Sequence, residues 1–385
     1  MSEEPPSVYL DNAATTYPKP EEVYRAVERF MRDVGGSAGR SGHRRSLQAG
    51  RVVYAARESV ARLFNIGDPL RIAFTKNATE ALNTAIRGLL DPGDHVVVSS
   101  VEHNSVMRPL EAARSAGVAY SVARCAPDGS LDPADVDAQM RPQTALVVLN
   151  HASNVTGTIL PVADVAEVAH RCGALLLLDA AQTAGRLPID VRDQGIDVLA
   201  FTGHKELFGP QGTGGVWARE GVRMKPLIHG GTGSHSSSLE QPEEMPDCCE
   251  SGTLNAFGIA GLAAGVEFVA REGIEAIIDH ERGLVERLLD GIAGLKGVKV
   301  HGPPGFEGRL GIVPLTFDAC SPPEAAELLD RRYGICCRAG MHCSPMAHRT
   351  IGTAETGVLR LSFSRMNTAD EVGYLLECLR EIARG

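Results

Sequence analysis

Short apolar and β-branched runs recur along the first half of the chain. They predict strands over Arg71–Thr75, His95–Ser99, Thr144–Asn150, Ala174–Asp179, Asp197–Phe201 and Thr213–Trp217. Several are apolar almost throughout (ALVVL, ALLLL, DVLAF). Unbroken apolar strands suit a parallel sheet buried on both faces. Amphipathic stretches lie between them, such as Thr79–Leu90 and Val162–Arg171, and read as helices. This alternation predicts an α/β domain that takes its ligands at the carboxyl ends of the strands.

The pattern changes after Trp217. His229–Asn255 is rich in Gly, Ser, Pro and acidic residues and reads as a long loop. Loops of that length are uncommon unless functional. A long helical stretch is expected from Phe257 to about Gly294. It is followed by strands near Val298 and over Leu310–Phe317, a helix over Pro323–Tyr333, strands at Ile335–Arg338 and Gly357–Phe363, and a closing helix over Ala369–Ala383. These elements suit a smaller α+β domain.

Composition narrows the class. Apolar residues make up 43% and charged residues 22%, the balance of a soluble globular protein. A net charge of −10 without basic runs argues against a nucleic-acid partner. No apolar stretch is long enough for a membrane span, and MSEEPPSVYLDNAATT lacks the regions of a secretory leader. Nine cysteines, an odd number, argue against a disulfide framework and for a reducing cytoplasm.

Among six lysines, Lys205 stands apart. It follows an apolar strand within Phe201-Thr202-Gly203-His204-Lys205, and a glycine-rich turn comes next. Desolvation and a neighbouring cation, here His204, both lower a lysine pKa and suit covalent attachment to a carbonyl. A solvated loop lysine is the alternative. Asp179 ends the preceding strand and can hold a pyridinium N–H, or simply cap a helix. Asn77, Ala78, Thr79 and Glu80 start a helix whose free amides and Thr79 hydroxyl could hold phosphate oxygens; taken alone, the segment reads more safely as a plain cap. His103 and Asn154 each follow a strand. They could contact a cofactor ring or a substrate carboxylate, or serve as turn residues.

In the second half, Cys343 lies in the loop Cys337–Pro345, where His342 and Arg338 would favour a thiolate. Metal binding by Cys336, Cys337, His342 and Cys343 is the alternative, but the spacing matches no zinc signature, so no metal is expected. Arg360 is a candidate clamp for a carboxylate, or one half of a structural ion pair. Cys248-Cys249 suggests no role.

The segments Leu10–Thr15, Ala78–Asn83, Glu102–Asn104, Ser153–Gly157, Asp179–Gln182, Thr202–Lys205, Glu250–Thr253 and Arg338–Cys343 occur in that order. Together they resemble the class V aminotransferase family, within it the cysteine desulfurases of the branch shared with selenocysteine lyases. The resemblance implies the fold-type I architecture of enzymes dependent on pyridoxal 5′-phosphate (PLP). It implies a large domain over 17–260 and a small one from 1–16 and 261–385, in a homodimer. Lys205 would attach the cofactor, Asp179 pair with its pyridine nitrogen, Gln182 bind the ring oxygen and His103 stack on the ring. Ala78, Thr79, Thr202 and His204 would hold the phosphate, with Thr253 reaching it from the other subunit. Asn154 and Arg360, with Arg338 nearby, would hold the carboxylate of L-cysteine, and Cys343 would take the sulfur as a persulfide and leave alanine. The short segment from Cys343 to Arg360 resembles the short-loop branch, which implies a sulfur-acceptor protein and a place in iron–sulfur cluster assembly. Selenocysteine lyase, another β-lyase and an aminotransferase use the same cofactor residues. A cysteine-rich metal-binding or redox protein is the reading outside enzymology.

Overall fold

The computed structural model describes residues 7–39 and 41–383. At its centre runs a seven-stranded sheet in the order Ile72–Thr75, Gly214–Ala218, Val198–Thr202, Leu175–Asp179, Thr144–Asn150, His95–Ser99, Ala119–Ala123. Gly214–Ala218 is antiparallel to both neighbours; all other pairs are parallel. The six runs marked by apolar patterning are all strands, with ends within a residue or so of expectation. Ala119–Ala123 was not expected, because its half-exposed AYSVA sequence carries little apolar signal.

Alternate side chains divide between two cores. Val97, Val147, Leu176 and Phe201 enter one, and Val96, Val148, Leu177 and Ala200 the other. All eight are at most 1% exposed, which accounts for the unbroken apolar runs. Leu177→Ala at such a site would cost roughly 2–5 kcal/mol.

Helices cover the sheet. Ala78–Leu89 starts at Asn77, whose side chain accepts the Glu80 N–H at 3.0 Å. Glu80 reaches back to the amide of Lys76, one residue earlier than a capping box requires. Val162–Arg171 is helical as expected. Glu21–Arg29, Arg44–Leu63 and Asn104–Arg114 are helices the patterning did not mark. The stretch from Phe257 to Gly294 is two helices rather than one, Ala256–Glu272 and Ile274–Ile292. Gly273 breaks it with φ +84°, a conformation that glycine adopts without strain. His229–Asn255 holds no helix or strand, yet it is anchored: Glu250 is buried against Arg57.

The C-terminal part forms a four-stranded antiparallel sheet, Arg338–Gly340, Val358–Ser362, Ile312–Phe317, Val298–Val300. Capping boxes at Ser321 and Thr368 start the helices Pro322–Tyr333 and Ala369–Ile382 behind it. The single strand expected at Ile335–Arg338 is two. Ile335–Cys336 pairs in parallel with Val8–Tyr9, and Arg338–Gly340 joins the larger sheet. The N-terminal segment thus docks on the C-terminal part. Asn12 Nδ2 donates to the Ser362 carbonyl at 2.9 Å, and the Thr15 hydroxyl to the His204 carbonyl at 2.9 Å.

Candidate active site

The parallel strands end around one pocket of about 90 Å³, lined among others by Ala78, Thr79, His103, Asn154, Asp179 and Lys205. Gln182, Thr202 and His204 also line it. Each of these sits at or just past a strand's carboxyl end, or at the start of the helix that follows, as expected for a sheet of this topology.

Lys205 is half-buried there, beside the buried Asp179. Burial lowers its pKa to about 8, against the opposing pull of Asp179. The cations that help lower it are Arg360, Arg186 and Arg338. His204 is not among them. Burial drops His204 itself to about 4, so it is neutral near pH 7, which corrects the expectation that it supplies a positive charge. Asp179 is buried; burial raises its pKa, while the Ala181 N–H at 2.9 Å and Lys205 favour its ionised form. His103 is neutral too, lowered to about 4 by burial and then by Lys205. Its Nδ1 meets Ser105 Oγ at 2.9 Å, and that hydroxyl meets Thr79 Oγ1 at 2.7 Å. Gln182 Nε2 donates to the Ala13 carbonyl at 3.2 Å.

The cysteine segment is tied to this pocket. Ser344 N–H donates to the Met341 carbonyl at 2.9 Å, closing a turn with His342 and Cys343 at its centre. Both central residues have positive φ, +48° and +58°. Non-glycine residues held there store roughly 1–3 kcal/mol each. Asn154 braces the turn: its Nδ2 donates to the His342 carbonyl at 2.7 Å, and its Oδ1 accepts from the Ser344 hydroxyl at 2.6 Å. Asn104 N–H donates to the Cys343 carbonyl at 2.8 Å. Cys343 itself is exposed. His342 does not supply the positive charge expected of it beside the thiol. Burial pushes it down to about 3, and its ring stacks on His348 with centroids 5.9 Å apart.

Arg360 is 1% exposed and forms an ion pair with Asp11 at 2.7 Å. Its Nη1 donates to the Asn154 carbonyl at 3.0 Å, and its Nε is buried without a partner. Arg338 lies directly opposite Arg360 in the sheet. Two guanidinium groups so placed create a positive field that an incoming carboxylate would relieve. Thr253 is exposed and does not line the pocket of its own chain.

Several site residues escaped the sequence reading. Asp11 and Ser105 lay inside or beside quoted segments, yet no single-sequence signal marks them as partners of Arg360 and His103. Glu102 is a third case. It is fully buried, accepts the Ser99 hydroxyl at 2.5 Å, has an unpartnered Oε2, and is raised by burial to about 8. Cys248 and Cys249 place their sulfurs 3.4 Å apart, away from the pocket. Among the described residues no three His, Cys, Asp or Glu side chains group as metal ligands, and no helix is long and apolar enough to cross a membrane.

Comparison with known proteins places this arrangement in a class. The family model described as aminotransferase class-V matches residues 8–375, and the chain belongs to that family. It is 37% identical to a probable cysteine desulfurase of Methanothermobacter thermautotrophicus, over 98% of this chain and 94% of that protein. It is 32% identical to a cysteine desulfurase of Haloferax volcanii, over 97% and 89%. Solved cysteine desulfurases from Thermococcus onnurineus and Escherichia coli superpose with TM-scores of 0.93 and 0.88. Their identities are 31% and 30%, and each comparison covers 98% of this chain and 95% of the other. The fold is the type I fold of PLP-dependent enzymes.

The pocket fits that cofactor on its own terms. His204 Nδ1 is buried without a partner. The first amides of the helix at Ala78 and Thr79 have no acceptor within the helix. A neutral imidazole and a helix start therefore line the same pocket, a set that suits a phosphate group. At the other end, Asp179 offers a buried carboxylate beside a lysine poised near neutrality.

Proposed function

We propose that this chain is a PLP-dependent cysteine desulfurase that takes sulfur from L-cysteine, releases L-alanine and carries the sulfur as a persulfide on Cys343. The observation that carries this reading is the bracing of the exposed Cys343 turn by Asn154, a residue that also lines the Lys205 pocket.

Lys205 would attach the cofactor, Asp179 would hold its pyridinium, and Ala78, Thr79, Thr202 and His204 would hold its phosphate. Gln182 would bind the ring oxygen, and neutral His103 would lie on the ring. The bound cofactor supplies an electron sink for charge released at the substrate's α-carbon. Arg360, Arg338 and Asn154 would orient the substrate carboxylate. Lys205, with a pKa of about 8, can accept a proton from the α-carbon and return it within one cycle. The Cys343 thiolate would attack the substrate sulfur. The new S–S bond forms as the Cβ–S bond breaks, and the electron pair left on carbon takes up a proton.

The same reading gives a homodimer in which exposed Thr253 reaches the phosphate of the other subunit. It divides the chain into 17–260 and 1–16 with 261–385. It places the enzyme in the cytoplasm, in keeping with nine free cysteines among the described residues. The short Cys343 segment implies hand-over to an acceptor protein, with iron–sulfur cluster assembly as the destination.

The test uses PLP-loaded protein and L-cysteine without added thiol. One equivalent of alanine and a trapped persulfide on Cys343 are expected. Undiminished alanine formation by Cys343→Ala would remove the sulfur-transfer role. Keto acid in place of alanine would make the enzyme an aminotransferase.

A further inference from the structure

A second cavity, of about 140 Å³, lies where the helix Ile274–Ile292, the loop before Ile312–Phe317 and the turn beyond Leu175–Asp179 meet. It shares no lining residue with the Lys205 pocket. Its walls include Arg186, Glu281, Phe306, Arg309 and Leu310. Arg186 and Arg309 are each 1% exposed.

The two arginines differ in how they are matched. Arg186 Nε donates to Glu281 at 2.8 Å, and its Nη2 lies 3.2 Å from Glu206. Glu281 is committed on its other oxygen to the Gly311 N–H at 3.1 Å. Among the described residues Arg309 has one acceptor, the His301 carbonyl at 2.7 Å from Nη2. Its Nε and Nη1 are buried without a partner, and so is Nη1 of Arg186. Burial lowers Arg309 to about 10, and no carboxylate acts against that shift. At the rim, Arg282 lies over the Phe306 ring, 4.0 Å from an exposed Glu307. The two arginines that line the cavity therefore carry three unmatched donor nitrogens, and Arg309 is a buried charge with no carboxylate paired to it among the described residues. A buried guanidinium without a counter-ion is strongly unfavourable. Water can take the hydrogen bonds but cannot neutralise the charge.

We propose that this cavity is a binding site for a small oxyanion, a carboxylate, sulfate or phosphate group held by Arg309 Nε and Nη1 and by Arg186 Nη1. The anion neutralises Arg309 and joins the loop that carries it, before Ile312–Phe317, to the turn that carries Arg186. Burial of both guanidinium groups strengthens that attraction. The site shares no lining residue with the Lys205 pocket and touches it only through Arg186, one of the cations that lower the Lys205 pKa.

The experiment measures the melting temperature of PLP-loaded protein against sulfate and against acetate, at ionic strength matched with chloride. Loading keeps the cofactor's phosphate seat occupied. A saturable rise of roughly 2–4 °C is expected. It should vanish in Arg309→Gln, which removes the charge, and in Leu187→Trp, which fills the cavity from a half-buried wall position and keeps both arginines. A wild-type response that is absent, or that grows linearly with salt without saturating, overturns the proposal whether or not the variants fold. So does a saturable rise that persists in either folded variant.

Discussion

Lys205 sits where a sheet buried on both faces releases the chain, whereas Cys343 sits on an exposed left-handed turn between a three-residue strand and a six-residue helix. The lysine's environment changes its chemistry: desolvation brings its pKa to about 8, within reach of neutral pH. The cysteine's environment changes its placement: strain and three hydrogen bonds fix the backbone and leave the side chain in solvent. On the proposed reading the division suits the two roles: a lysine with a pKa near neutrality can carry a proton, and an exposed cysteine can pass sulfur to another molecule.

The sharpest test of that division replaces each reactive group. Lys205→Ala should lower turnover by roughly 10²–10⁴-fold or more and abolish covalent cofactor attachment, seen as loss of visible absorbance that reduction with borohydride cannot fix to the chain. Cys343→Ala should also lose sulfur release, yet keep the cofactor's absorbance and its response to L-cysteine. If both variants lost the absorbance, the two regions would not be separable.

The next test concerns protons. In cofactor-free protein the neutral Lys205 amine is the attacking form, so the attachment rate should fall about tenfold per pH unit below about 8 and level off above it. Its pKa in the folded chain lies below the ordinary 10.5, so the folded state binds fewer protons between those values. Stability contributed through Lys205 should therefore rise with pH from about 8 towards 10.5. Urea midpoints of cofactor-free protein, compared with Lys205→Met, check the sign.

The smallest effect belongs to the brace. Ser344→Ala leaves the buried Asn154 Oδ1 without its donor and should cost roughly 1–3 kcal/mol, read by urea unfolding. Because the turn would loosen, the persulfide step should slow while cofactor binding stays unchanged.

The two regions were also unequally legible in the sequence. Strands of the parallel sheet read out directly, because burial on both faces leaves no polar alternation to confuse them. Lys205, Asp179 and Thr79 follow from their positions at strand ends. The Cys343 region resisted. Ile335–Arg338 looked like one strand because its division depends on pairing with Val8–Tyr9, over three hundred residues earlier. Side-chain spacing does not encode the positive φ at His342 and Cys343. Nor could the sequence show that His204 and His342 are neutral, since their charge is set by burial, which single-sequence patterning registers only coarsely.

The ion pair between Asp11 and Arg360 carries one more consequence. On the proposed reading, the guanidinium meant for the substrate carboxylate already holds a carboxylate of its own chain. Substrate therefore enters by exchange, and Asp11 acts as a tethered competitor whose local concentration sets a ceiling on affinity. The competitor hangs on the short N-terminal strap that pairs with Ile335–Cys336. Anything that tightens or slackens that strap would retune how much free amino acid the enzyme needs before it works.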